Sequence, residues 1–191
     1  MRDEAFIRGK TPMTKAEVRA VSIDKLALDE TSRRFLDVGA GTGSVALQVA
    51  KMFPHVSVTA IERNEEALTL IEQNRRQLAL DNVEIMAAKA PVPLDNTVFD
   101  AIFVGGSGGE LTGIIDWSHA LLQPGGHLVL NFILMENALE AAAYLEKGPW
   151  HEVEVIQLQV SKWHELGQGH YFKPQNPTFI IACQKERSGT A

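Results

Sequence analysis

The chain has 191 residues, of which 45% are hydrophobic and 22% are charged, a composition typical of one globular domain. Its formal net charge of -6 argues against a nucleic-acid partner, because proteins that bind polyanions usually carry a basic face. The single cysteine, Cys183, excludes an internal disulfide framework and favours a reducing cytoplasm. Apolar runs are too short to span a bilayer and the histidines lack metal-ligand spacing, so we expect neither a membrane nor a metal partner.

Segments typical of strands alternate with segments typical of helices. The first strand, at Arg34–Val38, ends at glycine, and the fifth, at His127–Ile133, follows a Pro-Gly-Gly sequence. Before the first strand, the spacing of Thr14 and Glu17 predicts a capping box and a helix to about Leu28. The other expected elements are a helix at 45–53, a strand at 57–61, a helix capped by Asn64, strands at 83–87 and 99–104, helices at 110–122 and 136–147, and strands at 152–162 and 178–184 joined by a polar loop.

This order predicts a mostly parallel, seven-stranded sheet with helices on both faces. Two successive strands near the C-terminus predict a hairpin that places one antiparallel strand on the sheet. Ligands of such sheets bind at the carboxyl ends of the strands, near the point where the strand order reverses. We therefore expect a single α/β domain over residues 1–191, with an N-terminal helical cap at 1–30 and a core at 31–191.

The loop after the first strand, from Asp37 to Ser44, reads Asp-Val-Gly-Ala-Gly-Thr-Gly-Ser. Its glycines allow a tight turn and close approach to a ligand, and the next helix presents free backbone N–H groups. A dinucleotide loop would read G-x-G-x-x-G, but Ser44 occupies the last glycine position, which disfavours a dehydrogenase. Glu62, 23 residues after Gly39, ends the second strand, where a carboxylate can accept both ribose hydroxyls.

The loop resembles the acidic-x-G-x-G-x-G loop of class I methyltransferases, which have a Rossmann-like fold and use S-adenosylmethionine. In that class the loop surrounds the amino-acid half of the methyl donor, and the resemblance implies that Asp37 helps to hold its ammonium group. The cofactor-binding residues expected from the resemblance and the spacing are Thr14, Asp37, Gly39, Ala40, Gly41, Thr42, Gly43, Glu62, Arg63 and Ala90.

Further motifs resemble the CbiT family, the decarboxylating precorrin methyltransferases of cobalamin biosynthesis. The most specific is the run Val-Gly-Gly-Ser-Gly-Gly at 104–109, and the segments at 6–19, 60–64 and 176–181 also resemble the family. At 88–91 the chain reads Ala-Lys-Ala-Pro where the family tends to have Gly-Asp-Ala-Pro, so Lys89 replaces an acid. The resemblance implies methyl transfer to carbon 15 of a cobalt-precorrin, coupled to loss of carbon dioxide from an acetate side chain. It also implies a homo-oligomer, such as a tetramer.

A corrin precursor carries many carboxylates, so cations are expected beside its site. Candidates are Arg8, Lys10, Lys15 and Arg19 near the N-terminus, and Lys162, His164, His170 and Lys173 in the last loop. Glu136 could orient substrate, move a proton or simply start a helix, and Ser107 could bond substrate, so both are candidates for an otherwise unassigned catalytic role. The substrate-binding residues expected are Gly105, Gly106, Ser107, Gly108, Gly109, Lys15 and His170.

Alternative functions remain open at this point. The chain could be a class I methyltransferase acting on another small molecule, RNA or protein, because one fold hosts many substrates. It could also bind S-adenosylmethionine without catalysis, a hypothesis to which Lys89 gives some weight. The Asn-Pro pair at 176–177 resembles part of an amino-methyltransferase motif, but that motif should follow the fourth strand, so methylation of DNA amines is rejected.

Overall fold

The structure, a computed structural model, describes residues 1–94 and 97–187. A short 3-10 helix at Asp3–Ala5 precedes five α-helices, which are α1 (Ala16–Lys25), α2 (Ser44–Met52), α3 (Glu65–Gln77), α4 (Leu111–Leu121) and α5 (Met135–Leu145). The strands are β1 (Arg34–Val38), β2 (Ser57–Glu62), β3 (Val83–Ala87), β4 (Phe99–Val104), β5 (Leu122–Phe132), β6 (Trp150–Leu158), β7 (Ser161–Leu166), β8 (Gly169–Pro174) and β9 (Thr178–Lys185).

Seven strands form one sheet in the order β3-β2-β1-β4-β5-β9-β6. Strand β9 runs antiparallel to both of its neighbours, whereas the pairs from β3 to β5 are parallel. The predicted sheet with one antiparallel strand is therefore confirmed. The strand order reverses at β1, and Val38 pairs with Val104 at the carboxyl ends of β1 and β4. This register brings the two glycine-rich loops together.

Helices cover both faces of the sheet. Phe35 and Leu36 are both 0% exposed although they are adjacent in β1, because successive side chains of a strand point to opposite faces. Phe35 belongs to the cluster formed with α1 and α2, and Leu36 to the cluster formed with α4 and α5. Burial on both faces explains why the parallel strands read as continuous apolar runs.

The N-terminal segment differs from the prediction. Helix α1 has Lys15 at its N-cap, so the capping box predicted at Thr14 is wrong. The helix ends at Lys25 rather than Leu28, because Ala27 has a left-handed backbone with φ of 49°.

Arg19 is fully buried, and its guanidinium donates to Asp3, to Gln48 and to the carbonyl oxygens of Met1 and Thr14. It therefore fastens the N-terminal segment and is not an exposed cation for a substrate.

The prediction of a polar loop between the last two strands is also wrong. Strands β7 and β8 form a separate antiparallel ladder in which Trp163 lies opposite Phe172. The ring of Trp163 also stacks on that of His170, with centroids 4.9 Å apart. Such cross-strand aromatic pairs stabilise a ladder whose overall composition is polar. Within residues 1–94 and 97–187, no helix is long and apolar enough to cross a membrane.

Candidate functional site

Two cavities open beside the glycine loop, at the carboxyl ends of the strands. They share Pro12, Gly39, Gly41 and Gly105 as walls. The first cavity, of about 500 Å³, extends along the ends of β2 and β3. The second cavity, of about 390 Å³, extends to the end of β5 and the start of β9. The site therefore lies where the strand order reverses, as the sequence predicts.

The turn at Gly39 requires glycine for two reasons. Its φ of +70° lies in the left-handed region, and a Cβ atom there would lie 3.0 Å from the carbonyl oxygen of Gly106. The N–H groups of Gly39 and Ala40 both donate to the carbonyl oxygen of Ile61. These contacts fix the loop after β1 between the ends of β2 and β4, and Gly39 and Gly41 present only backbone to the cavities.

Glu62 is held at the end of β2 by backbone donors. One carboxylate oxygen accepts the N–H of Gly41 at 2.9 Å, and the other accepts those of Arg63 and Asn64 at 2.8 and 2.9 Å. Asn64 in turn caps α3 by accepting the N–H of Ala67 at 3.0 Å, as predicted. The fixed carboxylate faces the first cavity with acceptor capacity left, which fits the two hydroxyl donors of a ribose.

Asp37 is 1% exposed and lies behind the glycine loop. One oxygen accepts the N–H of Ala46 at 2.9 Å, near the start of α2, and the other has no hydrogen-bond partner among the described residues. Burial raises the pKa of this carboxyl to about 7, and the nearby charge of Glu62 adds to the shift. Asp37 is not among the described residues that line either cavity, so its geometry favours support of the loop over direct contact with an ammonium group.

Thr42 and Gly43 belong to the same loop, but they are not among the described residues that line either cavity. The Thr42 side chain is 1% exposed, and its carbonyl oxygen accepts from the amide of Asn74 at 3.2 Å. Gly43 is the N-cap residue of α2. The other expected cofactor residues line the cavities: Glu62, Arg63 and Ala90 line the first, Thr14 and Ala40 line the second, and Gly39 and Gly41 line both.

Lys89 lines the first cavity and forms an ion pair with Glu110, the residue before α4. Its ammonium is therefore already paired across the opening between the loops after β3 and β4. The neighbouring Ala90 is 8% exposed and forms part of the same wall. The replacement of an acid by Lys89 thus adds an ion pair at the opening of the first cavity, while the small, apolar Ala90 of the family pattern still lines that cavity.

The N-terminal segment crosses over both cavities, and only Thr14 and Lys15 of it were among the expected cofactor-binding and substrate-binding residues. Thr11 lines the first cavity, Met13 and Lys15 line the second, and Pro12 lines both. The side chain of Asn74 accepts the N–H of Ile7 and donates to its carbonyl oxygen, which anchors this segment to α3. A contact between such distant segments has no local signal in a sequence.

Three residues with amide side chains, Asn131, Gln175 and Asn176, are among the described residues that line the second cavity. The amide of Asn131 donates to the hydroxyl of Ser22 at 2.9 Å, which orients it. None of the three was among the expected site residues. The one available signal for Asn131 was a single amide inside the otherwise apolar run at 128–133, since polar groups inside such runs need a partner.

Most of the chain matches a single family model. Residues 4–185 match the model described as the precorrin methyltransferase domain. The chain belongs to this family. A curated Salmonella typhimurium protein named cobalt-precorrin-6B C(15)-methyltransferase (decarboxylating) is 50% identical over 189 residues, which cover 98% of this chain and 97% of the relative.

Solved structures of precorrin enzymes have the same fold. A precorrin-6y C5,15-methyltransferase from Geobacter metallireducens superposes with a TM-score of 0.89 at 34% identity, over 97% of this chain and 96% of that one. A precorrin 8W decarboxylase from Methanobacterium thermoautotrophicum gives a TM-score of 0.84 at 34% identity, over 95% and 98% of the two chains. The expected Rossmann-like fold of class I methyltransferases is confirmed.

Three of the catalytic and substrate-binding residues expected for this precorrin methyltransferase lie away from the cavities. Glu136 is exposed in the first turn of α5, which suits a helix-start acid. His170 lies on the exposed β7–β8 ladder, and Gly109 is not among the described lining residues. The remaining expected substrate residues line the cavities, with Gly106, Ser107 and Gly108 in the first, Lys15 in the second and Gly105 in both.

Proposed function

We propose that this chain transfers a methyl group from S-adenosylmethionine to carbon 15 of cobalt-precorrin-6B, with loss of carbon dioxide from an acetate side chain. The similarity to the Salmonella typhimurium protein over nearly the whole chain carries this proposal. The geometry supports it through two adjoining cavities that meet at Gly39 and Gly105 and together offer room for a methyl donor and an acceptor.

The first cavity fits the nucleoside part of the methyl donor. Glu62 accepts the ribose hydroxyls, and Ala90 borders the adenine. The backbone from Gly39 to Gly41, together with Thr14 of the adjoining second cavity, holds the amino-acid part. Asp37 and Thr42 act from behind by keeping the loop in this conformation. When bound, S-adenosylmethionine supplies a methyl group that is already strongly electrophilic, so the chain mainly has to align donor and acceptor.

Small residues after β4 leave room for a macrocycle. Gly105, Gly106 and Gly108 present only backbone at the wall, and Ser107 adds one hydroxyl that can bond the substrate. Lys15 and the amides of the second cavity supply donors for carboxylates. Loss of carbon dioxide leaves an electron pair that the conjugated macrocycle absorbs, and a proton then completes the new methyl group at the former acetate carbon.

We also propose that the chain forms a homo-oligomer, such as a tetramer, in the cytoplasm, acting as a single methyltransferase domain. The β7–β8 ladder exposes Trp163, Leu166 and Phe172 by 61–68%, and Ile133 and Leu134 are 62% and 60% exposed. Apolar surface of this extent marks an interaction site. Light scattering should give the mass of an oligomer for the native chain and a smaller mass for the double variant Trp163→Ser/Phe172→Ser. A monomeric native chain would contradict this proposal.

Mass spectrometry tests the reaction directly. The chain is incubated with S-adenosylmethionine and cobalt-precorrin-6B, and we expect a product that gains one methyl group and loses one carbon dioxide. A product that gains a methyl group without losing carbon dioxide would support the proposed methyl transfer and contradict the proposed decarboxylation. An unchanged substrate, in a preparation that binds S-adenosylhomocysteine by calorimetry, would refute the proposed substrate.

A further inference from the structure

We infer that the guanidinium of Arg63 binds a side-chain carboxylate of the macrocyclic acceptor, and that Arg63 determines specificity for that acceptor rather than binding the methyl donor. The inference rests on the proposed function, because it assigns part of the site to a polycarboxylate substrate. It revises the role that the family resemblance implies for this residue.

The Arg63 side chain extends from the donor side of the site to the acceptor side. Its backbone follows Glu62 at the end of β2, while its guanidinium carbon lies 3.9 Å from the position that a Cβ atom would take at Gly108. Strand β1 separates β2 from β4 in the sheet. The charged group therefore lies against the glycine-rich loop after β4, and both residues line the first cavity.

The guanidinium is exposed and makes no hydrogen bond or ion pair with any residue in 1–94 or 97–187. Lys89 and Glu62, two nearby charged residues, have other contacts. Lys89 pairs with Glu110, and Glu62 accepts three backbone N–H groups. Lys10 is a further cation of this cavity, but it lies on the N-terminal segment, where its N–H approaches Glu66. Among the residues that the structure describes, Arg63 is thus a cation without a partner, and its charged group lies at the acceptor loop.

The charge of the methyl donor argues against it as the partner of Arg63. A bound S-adenosylmethionine carries a sulfonium and an ammonium against one carboxylate, so its net positive charge repels a guanidinium. The carboxylate of Glu62 already accepts three backbone N–H groups, and a side-chain carboxylate of the acceptor supplies a further anion. Guanidinium binds a carboxylate through two parallel hydrogen bonds, which also fixes orientation. The bare backbone at Gly106 and Gly108 allows the edge of a macrocycle to approach it.

Binding measurements separate the two roles. Calorimetry is performed on the native chain, Arg63→Ala, Arg63→Lys and the control Arg34→Ala, which removes an exposed arginine from the amino end of β1. The probes are cobyrinic acid, which is a corrin with seven carboxylates, its fully amidated counterpart, and S-adenosylhomocysteine. Each corrin is titrated in the presence of saturating S-adenosylhomocysteine.

We expect Arg63→Ala to weaken binding of cobyrinic acid by about tenfold to a hundredfold, the scale of a charged hydrogen-bonded pair. Arg63→Lys should recover part of the loss, while the amidated corrin and S-adenosylhomocysteine should bind as they do to the native chain. Equal affinities of the native chain and Arg63→Ala for cobyrinic acid would overturn the inference. So would a loss confined to S-adenosylhomocysteine, or a native chain that binds neither corrin. If cobalt-precorrin-6B is not converted but the Arg63-dependent binding persists, the proposed reaction fails and the carboxylate site stands.

Discussion

Replacing Glu62 with glutamine should weaken binding of the methyl donor while leaving the chain folded. The carboxylate accepts three backbone N–H groups and faces the first cavity. Glutamine has only one acceptor oxygen, so its amide nitrogen must face either the Gly41 N–H or those of Arg63 and Asn64. A hydrogen bond to a charged group contributes about 1.5–3 kcal/mol. The glutamine side chain then turns away from its position in the native chain, and the loss of one such bond to a ribose hydroxyl of the donor raises the dissociation constant by about tenfold to a hundredfold.

Calorimetry with S-adenosylhomocysteine measures this effect. Glu65→Gln is the matched control, because it removes the same charge from the first turn of α3 at an exposed residue that is not among the cavity-lining residues described. Urea unfolding of each variant establishes that the protein titrated is folded. A folded Glu62→Gln variant with the affinity of the native chain would remove Glu62 from the donor site and refute the geometric argument.

Two further predictions concern buried charges. Arg19→Met should lower the free energy of unfolding by about 3–5 kcal/mol in urea, because it leaves Asp3 buried without its cation; a loss of less than about 1 kcal/mol would contradict this. Burial raises the pKa of Asp37 from its ordinary value of 3.8 to about 7, so the folded state favours the protonated form. Its contribution to stability is present below pH 3.8 and is lost as the pH rises towards about 7. Across that interval, the native chain should lose more stability in urea than Asp37→Asn, and parallel pH profiles would show that Asp37 does not titrate there.

The short-range features of the site could be predicted because each depends on residues close together along the chain. A glycine at a left-handed turn, an asparagine three residues before the N–H that it caps, and an acid at the end of a strand are local requirements of backbone geometry. Gly39, Asn64 and Glu62 were found in this way, and the structure places them as expected. The alternation of strands and helices likewise predicted the sheet, because hydrophobic periodicity reports which faces are buried.

Only the tertiary structure decided which distant segments meet. It buried Arg19 beneath the N-terminal segment, placed Asp37 behind the loop, and brought Met13 and Asn131 to one cavity. It also turned a polar loop into the β7–β8 ladder through aromatic pairs across the strands. The physical reason is that these contacts depend on packing between remote parts of the chain, whereas the sequence by itself determined the backbone turns, the buried faces and the family of the protein.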